Sequence, residues 1–158
     1  MGTRMELVAG EAQAILLVIG TDEREAFADR DRFRAYLSLS GGMDPTWLDL
    51  FADAARTATD REYPGDFLDA RSELGGPDAQ EETLIVERVD PAWISAVARV
   101  PDLVLDRLAG RWIDRIEEEF GTLPREEKPW IRDLAGQVLA FCRRADAAPD
   151  VLFVWALQ

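Results

Sequence analysis

Hydrophobic and polar positions recur along the chain in patterns that predict strands at both ends and helices between them. The first apolar run, AILLVIG (residues 14–20), is short and is followed by a polar segment, so we predict a buried strand. Residues 33–39, FRAYLSL, have an apolar residue at every second position, which is typical of a half-buried strand. The run VLFVWAL (Val151–Leu157) is almost continuously apolar, and it predicts a central strand covered on both faces.

Two segments 46 residues apart share the pattern Asp-Pro-x-Trp-aliphatic: MDPTWL (Met43–Leu48) and VDPAWI (Val89–Ile94). An aspartate suits the N-cap of a helix because its carboxylate accepts backbone N–H groups that have no partner in the helix. A proline suits the first helical position, where its missing N–H costs nothing. Both segments therefore predict helix starts. The alternative hypothesis is that Trp47 and Trp93 line a ligand pocket.

Four helices and two further strands are predicted in the middle of the chain. The helices, each with apolar residues on one face, cover about 45–60, 91–100, 102–120 and 130–145. Between the first two helices, Tyr63–Leu74 and Glu82–Val89 are predicted strands, joined by a loop that contains the turn-forming sequence GGPD.

The predicted order is roughly β-β-α-β-β-α-α-α-β, which indicates an α+β fold: a mixed four- to five-stranded sheet packed by about four helices. We expect one domain over residues 1–158, because 158 residues of which 47% are hydrophobic can bury a single core without a disulfide or a metal. Within it we distinguish an acidic middle segment (44–90), a helical segment (91–146) and the C-terminal strand (151–157).

The charge of the chain is strongly negative and unevenly distributed. The net charge is −13, and residues 44–90 alone hold 13 acidic and 4 basic side chains. Such a surface repels nucleic-acid phosphates and anionic lipid, so we expect neither nucleic acid nor membrane as a partner. It attracts a basic protein, unless the charge serves only solubility. The candidate partner surface comprises Asp49 and Asp53, one helical turn apart, with Asp66 and Asp69.

Catalytic and metal-binding chemistry is restricted by the absence of histidine. Without histidine there is no Ser-His-Asp or Cys-His pair and no usual zinc site. Cys142 lies on the apolar side of its predicted helix, where a cysteine usually acts as a small hydrophobic residue. We therefore assign no catalytic residue and expect neither a cofactor nor a metal.

The compartment is predicted from the single cysteine and the short apolar runs. One cysteine cannot form an internal disulfide, which favours the cytoplasm. AILLVI is too short for a membrane span, and Glu6 and Glu11 precede it, unlike a signal peptide. Arginine supplies 17 of the 18 basic residues, which indicates a GC-rich bacterial genome.

Three functional hypotheses remain open. The first is a non-enzymatic module that binds another protein through an acidic surface; in composition, though without a shared motif, the chain is similar to toxin-neutralising immunity proteins. The second is a small-molecule binder or carboxylate-based enzyme whose pocket is lined by Trp47 or Trp93, Tyr36 or Tyr63, and aspartates. The third is a homo-oligomer formed by pairing of apolar end strands.

Overall fold

The computed structural model describes residues 3–21, 23–39, 46–59, 71–73 and 84–157. Within them five strands form one sheet in the order β2-β1-β5-β4-β3. The strands are β1 (Thr3–Gly10), β2 (Ala35–Ser38), β3 (Arg71–Glu73), β4 (Leu84–Val89) and β5 (Asp150–Leu157). The predicted α+β fold is confirmed.

The strand directions differ from the mixed sheet that we expected, because every strand pair among the described residues is antiparallel. The helices between β4 and β5 return the chain to the end of the sheet where β4 stops, so β5 runs back beside it. In the register of the centre, Leu7 of β1 pairs with Phe153 of β5, and Val154 of β5 pairs with Val86 of β4.

Helices cover the two faces of the sheet unequally. The helices are α1 (Ala12–Thr21), α2 (Thr46–Thr59), α3 (Pro91–Ala98), α4 (Leu105–Phe120) and α5 (Lys128–Ala145). The larger core packs α2, α3, α4 and α5 against one face, with Phe153 pointing into it. The smaller core packs α1 and a short 3₁₀ helix (Arg24–Ala28) against the other face, with Leu152 pointing into it. The prediction of a central C-terminal strand covered on both faces is thus confirmed.

The first predicted strand was wrong. AILLVIG belongs to α1, and the first strand lies upstream in TRMELVAG. Ile15, Val18 and Ile19 are buried at helical spacing, whereas Leu17 is 64% exposed. A short apolar run fits a buried strand and a buried helix equally well by its pattern. A long-range contact lies at the start of the helix: the backbone N–H of Ala12 donates to Oδ2 of Asp150 at 3.1 Å, which caps α1.

The second Asp-Pro-x-Trp segment starts a helix as predicted. Oδ1 of Asp90 accepts a hydrogen bond from the backbone N–H of Ala92 at 2.9 Å, and Pro91 is the first helical residue. The helix after the first segment begins at Thr46, while Asp44 and Pro45 lie outside the described residues.

The remaining predicted elements are found with adjusted bounds. The alternating segment 33–39 contains β2, the predicted strand Glu82–Val89 contains β4, and the long helical patterns correspond to α4 and α5. Of the predicted strand Tyr63–Leu74, residues 71–73 form β3, and the rest lies outside the described residues together with the GGPD turn. No helix of the described residues is long and apolar enough to cross a membrane.

Candidate functional site

The two tryptophans proposed as pocket residues lie in the core. Trp47 is 8% exposed and Trp93 is 1% exposed. The rings of Trp47 and Trp112 meet edge to face with centroids 6.5 Å apart, and the indole N–H of Trp112 donates to the backbone oxygen of Trp47 at 2.8 Å. The indoles of Trp47 and Trp93 therefore pack α2 and α3 into the core. This is the role expected of the first inward-facing aromatic residue after the start of a helix.

The aspartates proposed as a partner surface are described only in part. Asp49 and Asp53 lie one turn apart on α2, and both are partly exposed. Asp66 and Asp69 lie outside the described residues. The geometry of the candidate surface is therefore defined for its α2 portion.

Asp53 takes part in an ion-pair network between α2 and α4. Its Oδ2 lies 2.9 Å from Nε of Arg115, and its Oδ1 lies 3.3 Å from Nη2 of Arg56. Arg115 also donates to Glu118 at 2.7 Å, and this hydrogen bond, with the charge of Asp53, raises the pKa of Arg115. Exposed pairs of this kind contribute about 0–1 kcal/mol each to stability. Their main consequence is that the negative charge of Asp53 is balanced within the protein.

Further negative charge lies on either side of β3 in the sequence. Residues 60–70 and 74–83 together contain seven acidic side chains and one basic side chain. Of the described strands, β3 is one of the two at the edges of the sheet. The sequence thus places two acidic segments on either side of an edge strand.

A surface pocket of about 270 Å³ lies where the first turns of α3 approach the end of α5 and the start of β5. Ile94, Ala145 and Val151 are among its apolar lining residues. Its polar groups include Ser95, whose hydroxyl donates to Oδ1 of Asp146 at 2.6 Å. The pocket therefore combines aliphatic walls with a carboxylate at its rim.

Asp150 also lines this pocket, but both of its oxygens have partners. Oδ2 accepts the hydrogen bond from Ala12 that caps α1, and Oδ1 lies 3.3 Å from Nε of Arg88. The helix N-terminus and the guanidinium offset the charge of Asp150. Asp146 is consequently the carboxylate of the pocket with more capacity to accept an added donor.

The sequence interpretation missed a buried carboxylate, Glu6, on the face of the sheet that packs against the smaller core. Glu6 is 1% exposed, forms an ion pair with Arg24, and accepts a hydrogen bond from the hydroxyl of Tyr36 at 2.6 Å. The ring of Tyr36 stacks on Phe27, with centroids 5.3 Å apart. The signal was present in TRMELVAG, where Glu6 shares its face with Val8. This cluster joins β1, β2 and the 3₁₀ helix.

Cys142 is completely buried in α5. Burial raises the pKa of its thiol far above the ordinary value, and the charge of Asp146 raises it further. Because the thiolate is the nucleophilic form, this environment suits a packing residue and not a reactive thiol. Within the described residues there is no group of three or more cysteine, aspartate or glutamate side chains placed to hold a metal ion.

Comparison of the chain with protein-family models, with curated proteins and with solved structures finds no significant match.

Proposed function

We propose that the protein is a non-enzymatic cytoplasmic module that binds a basic protein through its acidic surface. The observation that carries this proposal is the distribution of charge along the sequence. On the described α2–α4 surface, Asp53 and Glu118 are paired with arginines, whereas residues 60–70 and 74–83 add seven acidic side chains and one basic one. These two segments, which flank β3 in the sequence, supply −6 of the net charge of −13.

This distribution of charge affects both the rate and the selectivity of binding to a partner. A concentrated negative field accelerates encounter with a positively charged partner and disfavours acidic competitors. An inhibitor of the immunity type would use the same carboxylates in place of the phosphates of a nuclease substrate. The partner we expect is therefore a protein with a basic, phosphate-binding surface.

Affinity purification followed by calorimetry tests the proposal. The test variant carries Asp66→Asn and Asp69→Asn, and the matched control carries Glu126→Gln and Glu127→Gln, two exposed carboxylates before α5. We expect the test variant to bind the purified basic partner at least about tenfold more weakly, the equivalent of about 1.4 kcal/mol, and the control to bind normally. Equal affinities for both variants, or a partner without a basic surface, would refute the proposal.

A second candidate function, small-molecule binding or carboxylate-based catalysis, is favoured by the pocket that holds Ser95 and Asp146. The tryptophans named in the original hypothesis do not line this pocket. A substrate whose turnover or binding is lost in Asp146→Asn and retained in Asp66→Asn would favour this candidate over the first. The homo-oligomer hypothesis is tested by light scattering on the eluate of a sizing column.

A further inference from the structure

We propose that the pocket between α3 and the α5–β5 connection is a binding site for the side chain of a single lysine from another polypeptide. The inference adds a specific contact to the proposed function and rests on it only for the source of the lysine.

The volume of the pocket limits what it can hold. At about 270 Å³ it is slightly smaller than the roughly 300–1,000 Å³ of pockets that enclose drug-sized ligands. A nucleotide or a larger metabolite would extend far outside it. One long side chain has a suitable size, and the apolar groups of Ile94, Ala145 and Val151 can contact its methylene groups.

The hydrogen bonding at the rim selects a cation. Oδ1 of Asp146 accepts from Ser95, while Oδ2 accepts no hydrogen bond from the described residues. The hydroxyl oxygen of Ser95 donates its proton to Asp146 and keeps lone pairs that can accept. An ammonium group has three donors, so it can bind Oδ2 of Asp146 and Oγ of Ser95 together.

The same geometry favours lysine over arginine. A guanidinium binds a carboxylate best through two parallel hydrogen bonds to both oxygens. In Asp146 one oxygen already accepts from Ser95, and in Asp150 the two oxygens already have Ala12 and Arg88 as partners, so a bidentate guanidinium would share an oxygen with an existing partner. An ammonium needs only one free carboxylate oxygen, and its aliphatic stem matches the apolar walls.

Amide-resolved NMR titration of the full chain tests the inference with three capped amino acids: Nα-acetyl-lysine, Nα-acetyl-norleucine and Nα-acetyl-arginine N-methylamides. We expect the lysine compound to bind with a Kd of about 1–10 mM, in the range of a single anchored side chain. Chemical-shift changes should be centred on Ser95, Asp146 and Ala148. The neutral norleucine compound should not bind, and the arginine compound should bind at least about threefold more weakly.

Two variants complete the test. Asp146→Asn should weaken binding of the lysine compound at least about tenfold, because the charge at the rim is lost. The matched control is Asp133→Asn, an exposed α5 aspartate that accepts from Gln137 at 2.8 Å and should leave the Kd unchanged. Amide spectra of both variants check that the fold is retained.

Three results would overturn the inference: equal binding of the norleucine compound, an unchanged Kd in Asp146→Asn, or shift changes away from the pocket. These results leave the proposed function standing if Asp66→Asn and Asp69→Asn still weaken the basic partner. Conversely, lysine binding that depends on Asp146 stands even if those two substitutions have no effect on any partner.

Discussion

The hydroxyl of Tyr36 on β2 donates a hydrogen bond of 2.6 Å to Glu6 on β1, a carboxylate that is 1% exposed. Arg24 reaches the other carboxylate oxygen of Glu6 from the 3₁₀ helix. A charge removed from water in this way requires partners, since desolvation of an ionised carboxylate costs several kcal/mol. The cluster therefore fixes the segment that follows α1 to the sheet.

Removal of Arg24 tests the importance of this ion pair. Arg24→Met removes this cation from the buried Glu6, and we expect a loss of about 3–5 kcal/mol in the free energy of unfolding, measured by urea denaturation. Tyr36→Phe should cost about 1.5–3 kcal/mol, the value of a hydrogen bond to a charged group. The double variant Glu6→Gln, Arg24→Met should recover much of the loss.

The control Arg30→Met, at an exposed position of the next turn, should change stability by less than about 0.5 kcal/mol. A similar effect at both arginines would contradict this account.

Ala147 has a φ of +77°, a left-handed conformation that costs a non-glycine residue about 1–2 kcal/mol. Ala147→Gly should therefore raise the free energy of unfolding by about 0.5–1 kcal/mol, after the greater chain entropy of glycine is subtracted. Ala140→Gly, at an exposed position within α5, should instead lower it by about 1 kcal/mol. Thermal and urea unfolding of both variants measure the difference. A loss in Ala147→Gly as large as in Ala140→Gly would show that the strain is absent.

Stability should decrease at alkaline pH because of Cys142. In the unfolded chain its thiol ionises near the ordinary pKa of 9.0, whereas burial raises the pKa of the folded state. Above pH 9 the unfolded state thus binds fewer protons than the folded state. The free energy of unfolding then falls by up to about 1.4 kcal/mol per pH unit. Cys142→Ala lacks this contribution, so its stability deficit relative to the parent should narrow between pH 9 and 10.5. A deficit that stays constant from pH 7 to 10.5 would contradict the burial of the thiol.

The hydrogen bond from Ala92 to Asp90 accounts for the start of α3. Asp90→Ala should reduce the free energy of unfolding by about 1 kcal/mol, whereas Asp90→Asn, which retains a capping oxygen, should stay within a few tenths of a kcal/mol. Chemical denaturation of the two variants provides the comparison. If the alanine variant were as stable as the asparagine variant, the Asp-Pro-x-Trp pattern would need another explanation.

The elements that the sequence predicted correctly are those formed by contacts between residues close together in the chain. The amphipathic stripes of α4 and α5 were visible because burial of one face follows helical spacing. The start of α3 could be predicted because its capping residue, Asp90, lies only two residues before Ala92, which donates the capping hydrogen bond. AILLVIG was predicted as a strand although it belongs to α1, and the strand in TRMELVAG was not predicted. The capping oxygen of α1 comes from Asp150, 138 residues away. Contacts between distant segments leave no periodic signal.

The candidate site was less predictable for the same reason. The charge of the middle segment could be counted from the sequence, but the pairing of Asp53 with Arg115 depends on how α2 meets α4. The pocket is formed by α3, the end of α5 and the start of β5. Its hydrogen bond between Ser95 and Asp146 joins residues that are 51 positions apart in the sequence. Glu6 was missed because TRMELVAG was not predicted as a strand; its signal was a single charged residue within an otherwise apolar run.

The salt dependence of binding to the purified partner tests the central claim most directly, because it measures whether carboxylates drive the association. We predict that the affinity falls at least about tenfold between 50 and 300 mM salt, and that this dependence is much weaker in the Asp66→Asn, Asp69→Asn variant. An affinity that does not change with salt, or the same salt dependence in the variant, would contradict the claim that these acidic residues form the binding surface.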